Sequence, residues 1–341
     1  MDIIFVAKTL DQGGIATSYI SWANELVKYG FKVGFFVQTD SSRYLPYISD
    51  DAQVHVSQKT AMNKSARELK EYLHSHPEAI VISGVFSAIY THKAKPESMK
   101  HWVMVHSVTV PEYHQKLFGH IRHLRALKAL VLIFKMHQYK NVLLDADLCT
   151  GVSRGVLQDA QKFTKNRLQN TGVLYNPACG DRFLLAKENT DPPHPWLQTP
   201  DNLTFVSCAR LEPVKDFNTS IKAFARVHQK NSAARFLILG DGPLRKDIEN
   251  LIQTTFQNTE ECPVELVGKV SNPEAYFAHA HAFVTASKHE AFGNVVVEAL
   301  ATGTQVIATD APYGPREVLD DGKYGTLVPV GDGAALAEAM V

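Results

Sequence analysis

The chain has 341 residues, 45% hydrophobic and 21% charged, a size and composition that suit two globular domains better than one. Lys plus Arg and Asp plus Glu stand at 35 each, so no net field gathers nucleic acid, and no apolar run reaches the roughly 18–20 residues of a membrane-spanning helix. Cys149, Cys179, Cys208 and Cys262 are far apart with no Cys-x-x-Cys pair, which argues for a reduced, cytoplasmic protein rather than a disulfide scaffold.

In chain order, residues 3–7 read as a first strand preceded by Asp2, not as a secretory leader with a basic start. Gly13-Gly14 then opens a helix over about 15–29, a place where backbone can approach a phosphate closely. The pair is not the G-x-G-x-x-G dinucleotide fingerprint, which disfavours a nicotinamide oxidoreductase. Strands at 32–37, 79–83, 102–106 and 148–152 alternate with helical stretches at 64–74 and 115–144. Between Tyr113 and Lys140 there is no acid, while Lys116, Arg122, Arg125, Lys128, Lys135 and Lys140 supply six cations. Ile121, Leu124, Leu127, Val131 and Phe134 recur beside them at helical spacing. Such a helix either lies on an anionic membrane surface or packs its apolar stripe on the sheet with its cations solvated.

The proline-rich stretch 191–200 reads as a linker, and the rhythm then repeats. Strands are expected at 203–208, 235–239, 264–267, 282–285, 305–308 and 326–328, with helices at about 216–229, 243–253, 273–278 and 294–302. The expectation is an α/β protein of two Rossmann-like parallel-sheet domains facing a crevice: 1–180, a linker at 181–200, and 201–341. Ligand should sit at the carboxyl ends of the strands.

Three loops there carry chemistry. Arg210 and Lys215, five apart after the strand at 203–208, can both reach one diphosphate, or form an ordinary solvated loop. Gly240-Asp241-Gly242 reads as a structural turn more readily than as a ligand loop. Glu290 and Glu298 flank a glycine turn and a helix start at Gly293-Asn294, a geometry that offers free N–H groups to an anion. The close histidine pairs His74/His76 and His279/His281 have no cysteine or carboxylate beside them, so no metal site is expected.

Together with Val173-Leu174-Tyr175-Asn176-Pro177 and the segment 311–319, these motifs resemble the family 4 glycosyltransferases, which have the GT-B fold. The resemblance spans nearly the whole chain and is densest over 203–329. It implies a retaining, metal-independent transferase of bacterial surface polysaccharide or lipopolysaccharide synthesis. The co-substrate would be a nucleotide-sugar, a UDP-hexose or UDP-N-acetylhexosamine favoured by Gly314-Pro315-Arg316-Glu317, and the acceptor a glycan, commonly lipid-linked. By the same resemblance Arg210 and Lys215 bind the diphosphate, Glu290 the transferred sugar, and Phe292, Gly293 and Asn294 offer backbone N–H groups. Glu298 holds the ribose, Gly14 with Gly13 faces the distal phosphate, and His106 matches the family's histidine near the reacting sugar. A histidine at that strand end is otherwise simply capped by backbone. No cofactor is implied, and peripheral contact with the inner face of the cell membrane would run through residues 116–140. The family usually adds a final helix crossing back to the front domain, whereas this sequence stops at Val341 inside a helix beginning near Gly333, as a truncated chain would. The rival readings are a UDP-N-acetylglucosamine 2-epimerase of the same fold and a non-catalytic nucleotide-sugar binding subunit.

Overall fold

The computed structural model describes residues 1–10, 14–39, 45–57, 62–106, 126–199 and 203–341. They form two compact units, Met1–Pro177 and Ala178–Val341. Gly13 and the cations Lys116, Arg122 and Arg125 lie outside the described residues.

The first unit is built on seven strands: β1 (Ile3–Ala7), β2 (Val33–Val37), β3 (Gln53–Val56), β4 (Ile80–Gly84), β5 (His101–Val105), β6 (Leu148–Gly151) and β7 (Thr171–Val173). All are parallel, in the order β3-β2-β1-β4-β5-β6-β7. β1 and β2 are buried along their whole length, which is why they read as unbroken apolar runs. Alternate residues serve opposite faces: Phe5 and Phe35 pack with Tyr19 of the helix Gly14–Lys28, while Ile4, Val6 and Phe36 pack with Leu69 and Leu73 of Met62–His74.

The second unit repeats the plan with β8 (Thr204–Cys208), β9 (Arg235–Leu239), β10 (Val264–Gly268), β11 (Ala282–Thr285), β12 (Gln305–Thr309) and β13 (Thr326–Val328). These are again all parallel, in the order β10-β9-β8-β11-β12-β13. Phe205, Phe236, Val284 and Ile307 face one core, and Val206, Leu237, Phe283 and Val306 the other. In both sheets the connection order reverses beside the first strand, between β1 and β4 and between β8 and β11. Loops diverge there and leave room for a ligand.

The stretch expected as a linker is folded. Residues 181–199 carry three short helices, Asp181–Leu184, Ala186–Asn189 and Pro195–Gln198. Phe183 is buried with Phe277 and Phe283, and Trp196 and Leu197 pack on the same cluster. The His279 ring donates to Thr190 O at 2.8 Å, and His194 Nε2 lies 3.1 Å from Glu265 Oε2. Pro195 opens the last of these helices at its first position, and the apolar residues of the segment bind it to the second unit.

The basic stretch divides along its helix, Ala126–Asp145. Tyr139, Val142 and Leu143 are buried, whereas Val131 and Phe134 are 48% and 61% exposed, beside exposed Lys135. Among the described residues no helix is long and apolar enough to cross a membrane.

Candidate active site

β8 delivers the chain to Ala209–Leu211, and this loop is braced by the one that follows β9. A side chain at Gly240 would meet Ala209 O at 2.0 Å, and one at Gly242 would meet Leu211 O at 2.6 Å. Gly240 also holds a φ of +125° that disfavours other residues. Leu211 N donates to Asp241 O at 3.1 Å and closes the contact. The glycine turn is therefore a support for the Arg210 loop. Arg210 itself is exposed and reaches Glu212 Oε1 at 2.9 Å.

A 3-10 turn, Pro213–Lys215, then turns Lys215 inward, and Asp216 follows in the left-handed region at φ +46°. The Lys215 ammonium donates to Glu290 Oε2 at 2.5 Å, with both side chains 20% exposed. Residues 75 apart in sequence thus meet at the carboxyl ends of β8 and β11, beside the crossover. The buried hydroxyl of Ser287 adds a long 3.4 Å contact to Glu290 Oε2. Lys288 N donates to Val214 O at 2.8 Å and Lys288 Nζ lies 3.5 Å from Asp216 Oδ2, which ties the two loops together.

The loop after β12 fixes Glu290 from its other side. Gly314 N donates to Glu290 O at 2.8 Å, and a side chain at Gly314 would lie 2.1 Å from Phe292 O. Arg316 pairs there with Asp310 and with Asp321. Lys288, His289, Asp310, Pro312 and Arg316, with the apolar end of β13, line an open cleft of about 760 Å³.

Gly293, at φ +95°, caps the helix Asn294–Ala301, so Phe292, Gly293 and Asn294 occupy its entrance and Glu298 its second turn. The first-turn N–H groups of such a helix favour negative charge. Glu298 is only part-exposed, and its carboxyl is pushed up to about 7 by burial, with Arg182 opposing and the Glu274 carboxylate adding to the rise. Glu274 is itself buried, and its Oε2 has no hydrogen-bond partner among the described residues. Burial also pushes the Cys208 thiol up to about 12, with Glu298 adding and Lys215 opposing.

In the first unit, Gly14 begins its helix, its carbonyl accepting from Ser18 Oγ at 2.6 Å. His106 directly follows β5 and is buried; burial lowers its ring to about 4, so it is neutral at ordinary pH. Neither ring nitrogen has a hydrogen-bond partner among the described residues.

Sequence reasoning passed over Ser287, Asp216, Glu274 and Arg182. Asp216 alone gave a signal, as an acid directly before a helix. The described residues contain no group of three or more His, Cys, Asp or Glu placed to hold a metal ion. The arrangement offers fixed cations and a helix entrance at one strand-end crossover, suited to a phosphorylated ligand bearing hydroxyls.

Residues 202–341 match the model of the family described as Glycosyl transferases group 1. The N-acetylgalactosamine-N,N'-diacetylbacillosaminyl-diphospho-undecaprenol 4-alpha-N-acetylgalactosaminyltransferase of Campylobacter jejuni is 37% identical over 125 residues, 37% of this chain and 33% of that protein. The alpha-monoglucosyldiacylglycerol synthase of Streptococcus pneumoniae is 24% identical over 340 residues, 92% of this chain and 71% of that protein. The matched stretch covers a third or less of each of the first curated relatives (29%, 14% and 33% of their lengths). Among solved structures, Anabaena HepE in complex with UDP-glucose superposes with a TM-score of 0.75 at 17% identity, over 100% of this chain and 88% of that one. The fold is therefore GT-B, and residues 202–341 are similar to the glycosyl transferases group 1.

Proposed function

We propose that the protein is a retaining glycosyltransferase that moves a sugar from a UDP-sugar to a hydroxyl of a glycan, one carried on a lipid. The observation that carries the reading is the Lys215–Glu290 pair at the β8/β11 crossover. It sets a cation for a departing diphosphate beside a carboxylate for sugar hydroxyls. The likeness to HepE, solved in complex with UDP-glucose, supports the UDP-sugar. The lipid acceptor is supported by relatives whose names include diphospho-undecaprenol and diacylglycerol.

In the transfer, the acceptor oxygen bonds to the anomeric carbon while the bond from that carbon to the diphosphate oxygen breaks. The electron pair leaves with the diphosphate, and the acceptor proton passes to a departing phosphate oxygen on the same face, which retains configuration. Lys215, Arg210 and the entrance of Asn294–Ala301 stabilise the charge that develops on the diphosphate. Those fixed charges supply what a divalent cation supplies elsewhere, so the reaction is metal-independent. Glu290 hydrogen-bonds the transferred sugar and Glu298 the ribose. Gly14 and His106 serve the sugar and phosphates from the first unit, where Gly13 belongs with them. The outward-facing Val131 and Phe134, next to Lys135, fit contact with an anionic membrane surface.

A thermal-shift panel of UDP-, GDP- and ADP-sugars tests the reading, because a ligand that binds only the native state raises its stability. UDP-sugars should raise the melting temperature most. No shift with any of them rejects the proposal. Product analysis without acceptor separates it from an epimerase, which would convert the donor alone.

A further inference from the structure

In the turn after β12, the backbone argues against the residue it carries. Tyr313 holds a φ of +92°. The five other non-glycine residues at positive φ among the described residues lie between +46° and +57°, the small left-handed basin that side chains visit. Between +76° and +125° every described residue is a glycine except Tyr313. For a bulky side chain that conformation is strained, and it persists only where the surroundings force it.

Here they do. Glu290 N donates to Pro312 O at 3.4 Å and Gly314 N donates to Glu290 O at 2.8 Å, so both neighbours of Tyr313 grip the Glu290 main chain. Gly314 is pressed against Phe292 O, Pro315 is buried, and Arg316 is tied to Asp310 and Asp321. This clamp accounts for the conformation but not for the tyrosine. Glycine takes such a φ without strain, as it does at seven other described positions. The side chain is therefore kept for something other than the turn. It is not sealed in the core either: Tyr313 is part-exposed, and Pro312 beside it lines the open cleft of about 760 Å³.

The groups around the turn indicate what is still wanted there. Glu290, Lys215 and Ser287 offer partners to hydroxyls and a cation to phosphate. A sugar also has a carbon–hydrogen face, which an aromatic ring covers with a large surface at little loss of freedom. We propose that Tyr313 is a specificity-determining residue of the second unit, its ring packing against the sugar that Glu290 holds. The inference rests on the glycosyltransferase reading above.

Four forms of the protein separate the ring from the turn. Tyr313→Phe keeps ring and strain, Tyr313→Ala keeps only the strain, and Tyr313→Gly keeps neither. Tyr313→Gly should melt about 2–4 °C above Tyr313→Ala, because a left-handed alanine is strained and a glycine is not. The wild type and the three variants are then compared in kcat/KM for UDP-glucose, UDP-galactose and UDP-N-acetylglucosamine. On the donor the wild type prefers, Tyr313→Ala and Tyr313→Gly should both fall by roughly tenfold, the range for losing one apolar ring contact, and their preference among donors should flatten. Tyr313→Phe should restore it. Free UDP, which lacks the sugar, should bind all four forms equally by calorimetry. Activity that follows the melting order, with glycine well above alanine, would show a merely structural role and overturn the proposal. An unchanged donor profile in both truncations overturns it too, as does a Tyr313→Phe loss equal to that of glycine, which would assign the effect to the hydroxyl. If the wild type neither turns over nor binds these UDP-sugars, the functional reading falls and this one with it. Normal wild-type turnover with unaltered variant profiles removes only the Tyr313 proposal.

Discussion

Glu298→Gln should make the empty protein more stable at alkaline pH while weakening its hold on the donor. The carboxyl is pushed from an ordinary 4.5 to about 7, first by burial and then by the nearby Glu274 charge, with Arg182 opposing. The folded chain therefore holds this proton more tightly than the unfolded chain does. Stability falls as pH rises from about 4.5 to 7, and above 7 the loss is complete because both states are ionised. At about 1.4 kcal/mol for each tenfold difference in proton affinity the penalty is ~3 kcal/mol, and partial exposure reduces it to about 2. Glutamine keeps the shape without the charge. Scanning calorimetry at pH 8 should then show a rise of roughly 4–8 °C in the transition of the second unit, and little change at pH 5. If the carboxylate accepts ribose hydroxyls, UDP-glucose affinity should weaken as pH falls below 7 in the wild type and stay flat, and weaker, in the variant. UDP-glucose is the probe because free UDP has a phosphate that titrates in the same window. Ribose does not react, so the variant should raise the donor KM more than it lowers kcat. Equal stabilisation at pH 5 and pH 8, or none at either, would refute the assignment of a buried carboxylate cost to Glu298.

Lys215→Ala should lower turnover by roughly 10²–10³, and Arg210→Ala similarly, with the double variant less than multiplicative because both serve one diphosphate; near-normal rates in both single variants would remove the site assignment. Activity should survive excess EDTA, and loss restored by magnesium or manganese would disprove metal independence. Reversing Arg122, Arg125 and Lys128 to Glu should abolish salt-sensitive binding to anionic vesicles and spare activity on a soluble acceptor; equal binding to neutral vesicles would reject the electrostatic account.

The strand-end placement of Lys215 and Glu290 was legible because it follows from topology. Apolar runs of fixed length set the β8 and β11 ends, and the polar residues just beyond them, Lys215 and Glu290, meet at the crossover. The supports of those residues were not legible. Gly240 and Gly314 are required by backbone from loops 31 and 22 residues away, a constraint no local pattern carries. Glu274 lies 24 residues before Glu298 on another helix, so its effect on that carboxyl comes only from packing. The short helices of 181–199 were not legible because prolines outweighed Phe183, Trp196 and Leu197, which pack on the second unit. In the basic stretch the sequence left two alternatives open; Val131 and Phe134 are exposed on that helix, whereas Tyr139, Val142 and Leu143 are buried.

Tyr19, His106, Glu274 and Glu298 share a property that packing alone does not explain. Each is a buried or half-buried polar group left with an unpartnered atom or a displaced proton affinity, and each stands at or near the carboxyl end of a strand. Some other buried hydroxyls are met locally, Thr304 donating to Phe277 O, Thr309 to Ser287 O and Ser87 to Val6 O, while Trp22 Nε1 and Tyr72 Oη, like Tyr19 Oη, have no hydrogen-bond partner among the described residues. Under the proposed function, the stability that Glu298 costs the empty protein is recovered when ribose hydroxyls are bound. The same group then discriminates steeply, since a ligand lacking the right hydroxyl leaves the cost in place. Hence Glu298→Gln is expected to hold or raise stability while reducing function, a combination that a purely structural role for that residue would not produce.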